Sequence, residues 1–157
     1  MKMTLTQKER SLLQDQKNHE EICIKKYNNY ASQAKDPELK QMFQNFAQQE
    51  QNHLNTINQM LSGQVPNMQQ NQQQSQQQNQ QQNLQNQQAG MTNACDADLC
   101  NDMLMTEKYV SNAYNTAVFE FVDTNARQAL YHIQKEEQQH GEGIFNYMKK
   151  KGMYQPQ

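Results

Sequence analysis

The chain has 157 residues, enough for one domain of ordinary size, with a formal net charge of −2 and a mean hydropathy of −1.18. So small a net charge excludes an electrostatic case for nucleic acid or a membrane surface as partner. No apolar run approaches the length of a membrane span, and the opening "MKMTLTQKER" lacks a signal peptide's apolar stretch, so neither is expected.

Four helices are predicted. The first runs from about Gln7 to Gln33, where Leu13, Glu20, Ile24, Tyr27 and Ala31 recur at helical spacing. Asp36-Pro37 then supplies an N-cap with proline at the first helical position. The second helix continues to about Leu61, with Leu39, Phe43, Phe46, Leu54 and Ile57 near one face, and Gly63 and Pro66 end it. Residues 62–97 read as a linker. Between Gln69 and Gln88 there are fourteen Gln, four Asn, one Ser and one Leu, which cannot bury enough apolar surface to offset their ordering entropy. The third helix is expected from near Asp98 to Val122, and the fourth from an Asp123 or Thr124 cap to about Lys151, closed by Gly152. Gly141 and Gly143 weaken the fourth, at about 1 kcal/mol each relative to Ala. Cys23, Cys95 and Cys100 leave one cysteine over in any intramolecular pairing, which points to a reducing compartment.

The two halves repeat. Shifted by 87 positions, Leu12 falls on Leu99, Glu20 on Glu107, Tyr27 on Tyr114, Asp36 on Asp123, Glu50 on Glu137, His53 on His140 and Ile57 on Ile144. The unit is a helical hairpin, here residues 1–61 and again 98–157. One hairpin cannot bury its apolar face alone, and two facing each other make one all-α domain, a four-helix bundle.

Each hairpin carries a Glu and, thirty residues later, a Glu-x-x-His: Glu20 with Glu50 and His53, Glu107 with Glu137 and His140. Residues equidistant from a hairpin turn lie side by side. The midpoints, positions 35 and 122, adjoin the Asp36 and Asp123 caps, so each acid pair meets at one level, about 22 Å from the turn. Phe43, Phe46 and Ile57 share the face of Glu50, and Leu130, Ile133 and Ile144 that of Glu137, so the acids point inward. Four buried carboxylates would be strongly disfavoured as bare charges. Two divalent cations resolve this, and a mixed carboxylate and imidazole set suits Fe or Mn. The plainer alternative is that each Glu-x-x-His is a solvated helix face and that duplication alone explains the likeness. His19, Glu21, His132, Glu136 and Glu142 read as solvent-facing, with Glu136 and Glu21 the first candidates for further ligands. Tyr27 and Tyr114 read as core aromatics with a polar tip, and Cys23 as a small buried apolar side chain.

The Glu followed by Glu-x-x-His, used twice, resembles the ferritin-like superfamily, nearest in pattern to the rubrerythrins. That resemblance implies an up-down-down-up bundle with a long crossover between the second and third helices. A flexible linker of residues 62–97 reaches about 33 Å, close to one helix length. A second resemblance, to the spore coat protein F family, rests on "NAYNTAVFEFVDTNARQAL" (112–130) and "NYMKKKGMYQP" (146–156). It implies a ferritin-like helical fold, a spore-coat location reached from the mother-cell cytoplasm, and other coat proteins or a second copy of the chain as partners. Two functions are therefore expected side by side. One is a coat-associated protein with the Gln-rich tract as a flexible or cross-linkable segment. The other is a di-metal oxidoreductase of the rubrerythrin or manganese catalase type, acting on peroxide or ferrous iron.

Overall fold

In the computed structural model, residues 2–66 and 89–153 are described; the Gln-rich tract and the end of the tail lie outside them. Four helices follow in order: α1 (Gln7–Gln33), α2 (Pro37–Leu61), α3 (Asp96–Glu120) and α4 (Thr124–Lys150). The described residues hold no strand; one isolated antiparallel bridge joins Lys2 to Gln64.

Local chemistry sets the helix ends. Thr6 and Glu9 form a capping box at α1, with Thr6 N–H donating to Glu9 at 2.9 Å and Glu9 N–H to Thr6 Oγ1 at 3.1 Å. Asp36 accepts from Glu38 N–H at 3.0 Å with Pro37 in the first turn, and Asp123 accepts from Ala126 N–H at 2.9 Å. The third helix stops at Glu120, two residues short of the sequence expectation. Phe121 turns to an extended conformation (φ −89°, ψ 133°), and Val122 N–H instead donates to Glu9 at 3.0 Å. One carboxylate thus caps α1 and holds the α3–α4 turn.

Each hairpin is antiparallel, and the pairs Lys8–Glu120 and Lys26–Asp102 set α3 antiparallel to α1. Tyr147–Asp36 at one end and His140–Glu50 further along set α4 antiparallel to α2. The directions are therefore up, down, down, up. α2 ends beside the start of α1, where Arg10 reaches the Leu61 carbonyl, and α3 begins beside the end of α1, where Asp96 accepts from Lys35 and Asp36 N–H. The end of α2 and the start of α3 therefore stand about one helix length apart, about 37 Å for a helix of 25 residues.

The core runs the length of the bundle, with Leu13, Tyr27, Tyr30, Leu39, Phe43, Met60, Leu99, Met103, Tyr114 and Leu130 wholly buried. The two α4 glycines do not interrupt the helix. At Gly143 a Cβ would stand 3.1 Å from the Phe46 ring, so the glycine leaves room for an aromatic that stacks on His140 at 4.2 Å.

The last residues of the crossover lie against α1. Asn29 donates to the Ala89 carbonyl, Gln33 to that of Met91, and Met91 N–H donates to Tyr30 Oη at 3.0 Å. Gly90 makes this approach, with φ +92° and an ideal Cβ only 2.2 Å from Tyr30 Oη. Gly90→Ala is expected to cost about 1–3 kcal/mol in chemical denaturation. An unaltered midpoint would show that this strap is not held against α1.

Candidate metal centre

Glu20, Glu50, His53, Glu107, Glu137 and His140 all come together in the middle of the bundle, each at most 2% exposed. One helix supplies each acid. α2 and α4, where Glu and His stand three residues apart, add the imidazoles, so one helix face delivers both groups at one level.

The contacts cross between hairpins. His53 Nδ1 lies 2.9 Å from Glu137, 3.4 Å from Glu50 and 3.7 Å from Glu20. His140 Nδ1 lies 2.7 Å from Glu50, 3.4 Å from Glu107 and 3.8 Å from Glu137. Two quartets result, Glu20/Glu50/His53/Glu137 and Glu50/Glu107/Glu137/His140, each with ligand atoms within 4.8 Å of one another. Glu50 and Glu137 belong to both. The shift of 87 positions turns one quartet into the other, so the repeat appears as a pseudo-twofold axis through the centre.

The tyrosines complete it. Tyr114 donates to Glu20 at 2.5 Å, and Tyr27 donates to Glu107. Each phenol serves an acid of the other hairpin, which periodicity along one helix does not show. Their retention at matching positions of the repeat was the available signal. Burial, with the neighbouring acids, holds both phenols well above their ordinary pKa.

One oxygen of each acid remains buried without a hydrogen-bond partner: Glu20, Glu50, Glu107 and Glu137 Oε2. Burial pushes Glu50 and Glu137 well above the carboxylate range, and the charge of Glu20 on Glu50, and of Glu50 on Glu137, adds to it. Burial opposes ionisation of Glu20 too, but the neighbouring Glu50 and His53 and the Tyr114 hydroxyl outweigh it and bring Glu20 down to about 2. Glu107 is lowered in the same way, with Glu137, His140 and Tyr27 overcoming its burial. The four acids of the metal-free centre thus titrate as one coupled group, with Glu50 and Glu137 pushed up and Glu20 and Glu107 held down. Burial alone would lower His53, but Glu136, Glu137 and Glu20 raise it well above its ordinary value.

The sign of the pH dependence follows. Glu50 and Glu137 keep protons in the folded state that the unfolded chain has lost above its ordinary carboxylate pKa. Their contribution is full below that value and is lost as pH rises through the raised folded pKa; His53 acts in the same direction above its own unfolded pKa. Chelator-treated protein should therefore melt at a lower temperature at pH 8 than at pH 5. The fall should be smaller in a Glu50→Gln, Glu137→Gln variant. Equal slopes in the two proteins would contradict the coupled titration.

Among the residues expected to face solvent, Glu136 and His132 are half-buried: His132 Nε2 lies 2.6 Å from Glu136, which stands 3.5 Å from His53 Nε2. Glu136 is thus at the outer nitrogen of the His53 ring, away from the shared acids. Gln49, which sequence reasoning passed over, takes the matching place and accepts from His140 Nε2. Glu21 is half-buried and Glu142 exposed, and neither belongs to a quartet. His19 faces the α1–α3 groove, edge-on to Tyr109 at 5.3 Å. Cys23 is wholly buried, and burial together with the four acids holds its thiol protonated.

Comparison with protein families assigns the second hairpin. Residues 95–157 match the family model of the Coat F domain. No curated protein and no solved structure matches the chain. The match covers α3 and α4 and so includes Glu107, Glu137, His140 and Tyr114; the other half of the centre stands on α1 and α2, outside it. No helix of the described residues is long and apolar enough to cross a membrane.

Proposed function

We propose that this chain is a spore coat-associated protein whose bundle holds a dinuclear iron or manganese carboxylate centre. The Coat F domain supports the coat association, with other coat proteins or a second copy of the chain as partners. The overlapping quartets carry the metal reading, because every acid in them keeps a buried oxygen without a partner. Such oxygens are costly unless something bonds them. Glu20 with His53 would hold one ion and Glu107 with His140 the other, with Glu50 and Glu137 between them. Two divalent ions carry four positive charges against four carboxylates, and the donor set is the oxygen-rich, imidazole-containing kind that suits iron or manganese. Tyr27 and Tyr114 orient the outer acids, and the surrounding core excludes bulk water.

A second reading, a peroxide-consuming or ferrous-oxidising enzyme, draws on one observation. Polar contacts run from His53 through Glu136 to His132, a side chain 44% exposed, and so link the centre to the surface on that side. When bound, the ions would supply redox chemistry to the site that Glu20, Glu50, His53, Glu107, Glu137 and His140 would hold.

Elemental analysis of full-length protein purified without chelator tests the main proposal. About two iron or manganese ions per chain are expected, and fewer than one would leave a coat protein without a metal centre. Steady oxygen release from hydrogen peroxide by the loaded protein would favour the enzyme, and its absence in a protein with two ions would favour a non-turnover role.

A further inference from the structure

Four pairs of residues around the centre are identical under the repeat: Glu20 and Glu107, Tyr27 and Tyr114, Glu50 and Glu137, His53 and His140. Immediately outside them the symmetry breaks. The residue before the shared acid is Gln49 on α2 and Glu136 on α4. These two side chains stand at the outer nitrogens of the imidazoles, Gln49 behind His140 and Glu136 behind His53.

Building on the dinuclear reading above, we propose that the two metal positions are inequivalent, and that the position formed by Glu20, Glu50, His53 and Glu137 fills first because a carboxylate backs His53 where an amide backs His140.

Two effects act in the same direction. The first is ligand strength. Both imidazoles turn Nδ1 toward the acids, which leaves the Nε2 proton for the outer partner. A carboxylate accepting that proton makes the ring a stronger donor than an amide does, and losing such a partner typically changes metal affinity about 10–100-fold. The contact itself is open by a few tenths of an ångström: His53 Nε2 is buried without a formed hydrogen bond, and the carboxylate it faces is Glu136 at 3.5 Å. His132 orients that carboxylate from the solvent side through the same oxygen, Oε1, at 2.6 Å. On the Gln49 side, Asn45 occupies the place that His132 holds in the repeat.

The second effect is charge. The quartets share Glu50 and Glu137 and are otherwise matched acid for acid. Glu136 adds a negative charge on the His53 side alone, with its side chain only 23% exposed, where solvent screens it less than at the surface. Gln49, exposed and neutral, adds none.

Mn(II) titration of the chelator-treated full-length protein, with free Mn(II) read by electron paramagnetic resonance, tests this. The wild type should take up two ions in two steps, about tenfold or more apart. Glu136→Gln should weaken the tight step and bring the two within about threefold, with both ions still bound. Gln49→Glu should close the gap from the other side by tightening the weak step. His53→Ala should remove the tight step, and His140→Ala the weak one. Both partner positions reach the surface, so Glu136→Gln and Gln49→Glu should keep the wild-type circular dichroism spectrum. Two ions in one unresolved step, a step spacing unmoved by Glu136→Gln and Gln49→Glu, or loss of the tight step in His140→Ala would each overturn the inference and leave the dinuclear proposal standing. Uptake of less than one ion by the wild type would instead remove the proposal on which the inference rests.

Discussion

Adding Mn(II) or Fe(II) to the chelator-treated protein is expected to raise its melting temperature by about 5–10 °C, and replacing Glu50 and Glu137 together by Gln to abolish that rise. A ligand that binds only the folded state stabilises it by about 2.7 kcal/mol at a free concentration one hundred times its dissociation constant, and a domain of this size gains about 2–4 °C per kcal/mol. The four acids meet only when both hairpins are folded, so the unfolded chain offers no comparable site. Glu50 and Glu137 are the residues to replace because both quartets contain them, and replacing both takes two carboxylate donors, with their negative charge, from each position. Glutamine keeps the shape of the side chain at two positions where burial already disfavours the charged carboxylate. The double variant should therefore be as stable as the metal-free wild type, or more so, since repulsion among clustered acids is relieved. Proton release should accompany metal uptake by the wild type, because the ions displace the protons of Glu50 and Glu137. An unchanged wild-type melting curve with less than one ion per chain would end the metal reading.

The largest effect away from the charged groups is expected from Phe43→Ala, about 3–5 kcal/mol of stability. Phe43 is wholly buried, tilted against Tyr27 with ring centroids 5.5 Å apart and against Tyr30 at 6.5 Å. Removing the ring leaves a cavity between α1 and α2 and loosens Tyr27, whose hydroxyl holds Glu107. Its counterpart under the repeat, Leu130, is equally buried, and Leu130→Ala should cost about 2–5 kcal/mol. Urea denaturation of the metal-free proteins measures both. A loss below about 1 kcal/mol for Phe43→Ala would mean that the site collapses around the smaller side chain, contrary to the close packing of helices on both sides.

Much of this organisation is written along the chain. Helical periodicity, the Asp36-Pro37 and Asp123 caps and the 87-residue repeat determine four helices in two hairpins. The equal spacing of Glu20 to Glu50 and of Glu107 to Glu137 about those turns places four acids at one level, because an antiparallel hairpin has only one register about a short turn. The apolar neighbours of Glu50 and Glu137 determine that they face inward. These are local or near-local relations, and the helical rise and period are enough to read them.

The contacts between hairpins are of another kind. The Gln-rich crossover sets no register between α1 and α3 or between α2 and α4, so the sequence could not say that Tyr114 serves Glu20 and Tyr27 serves Glu107, or that His53 turns to Glu137 and His140 to Glu50. Nor could it say that Glu9 reaches beyond its own cap to Val122, or that Gly90 lets the end of the crossover lie on Tyr30. Glu136 read as solvent-facing and as a candidate further ligand; only the approach of α2 brings His53 to it. Burial of a polar side chain depends on what the opposite helix presents. That information resides in the packing of one hairpin on the other, through which the symmetry of the centre and its break at Gln49 and Glu136 become visible.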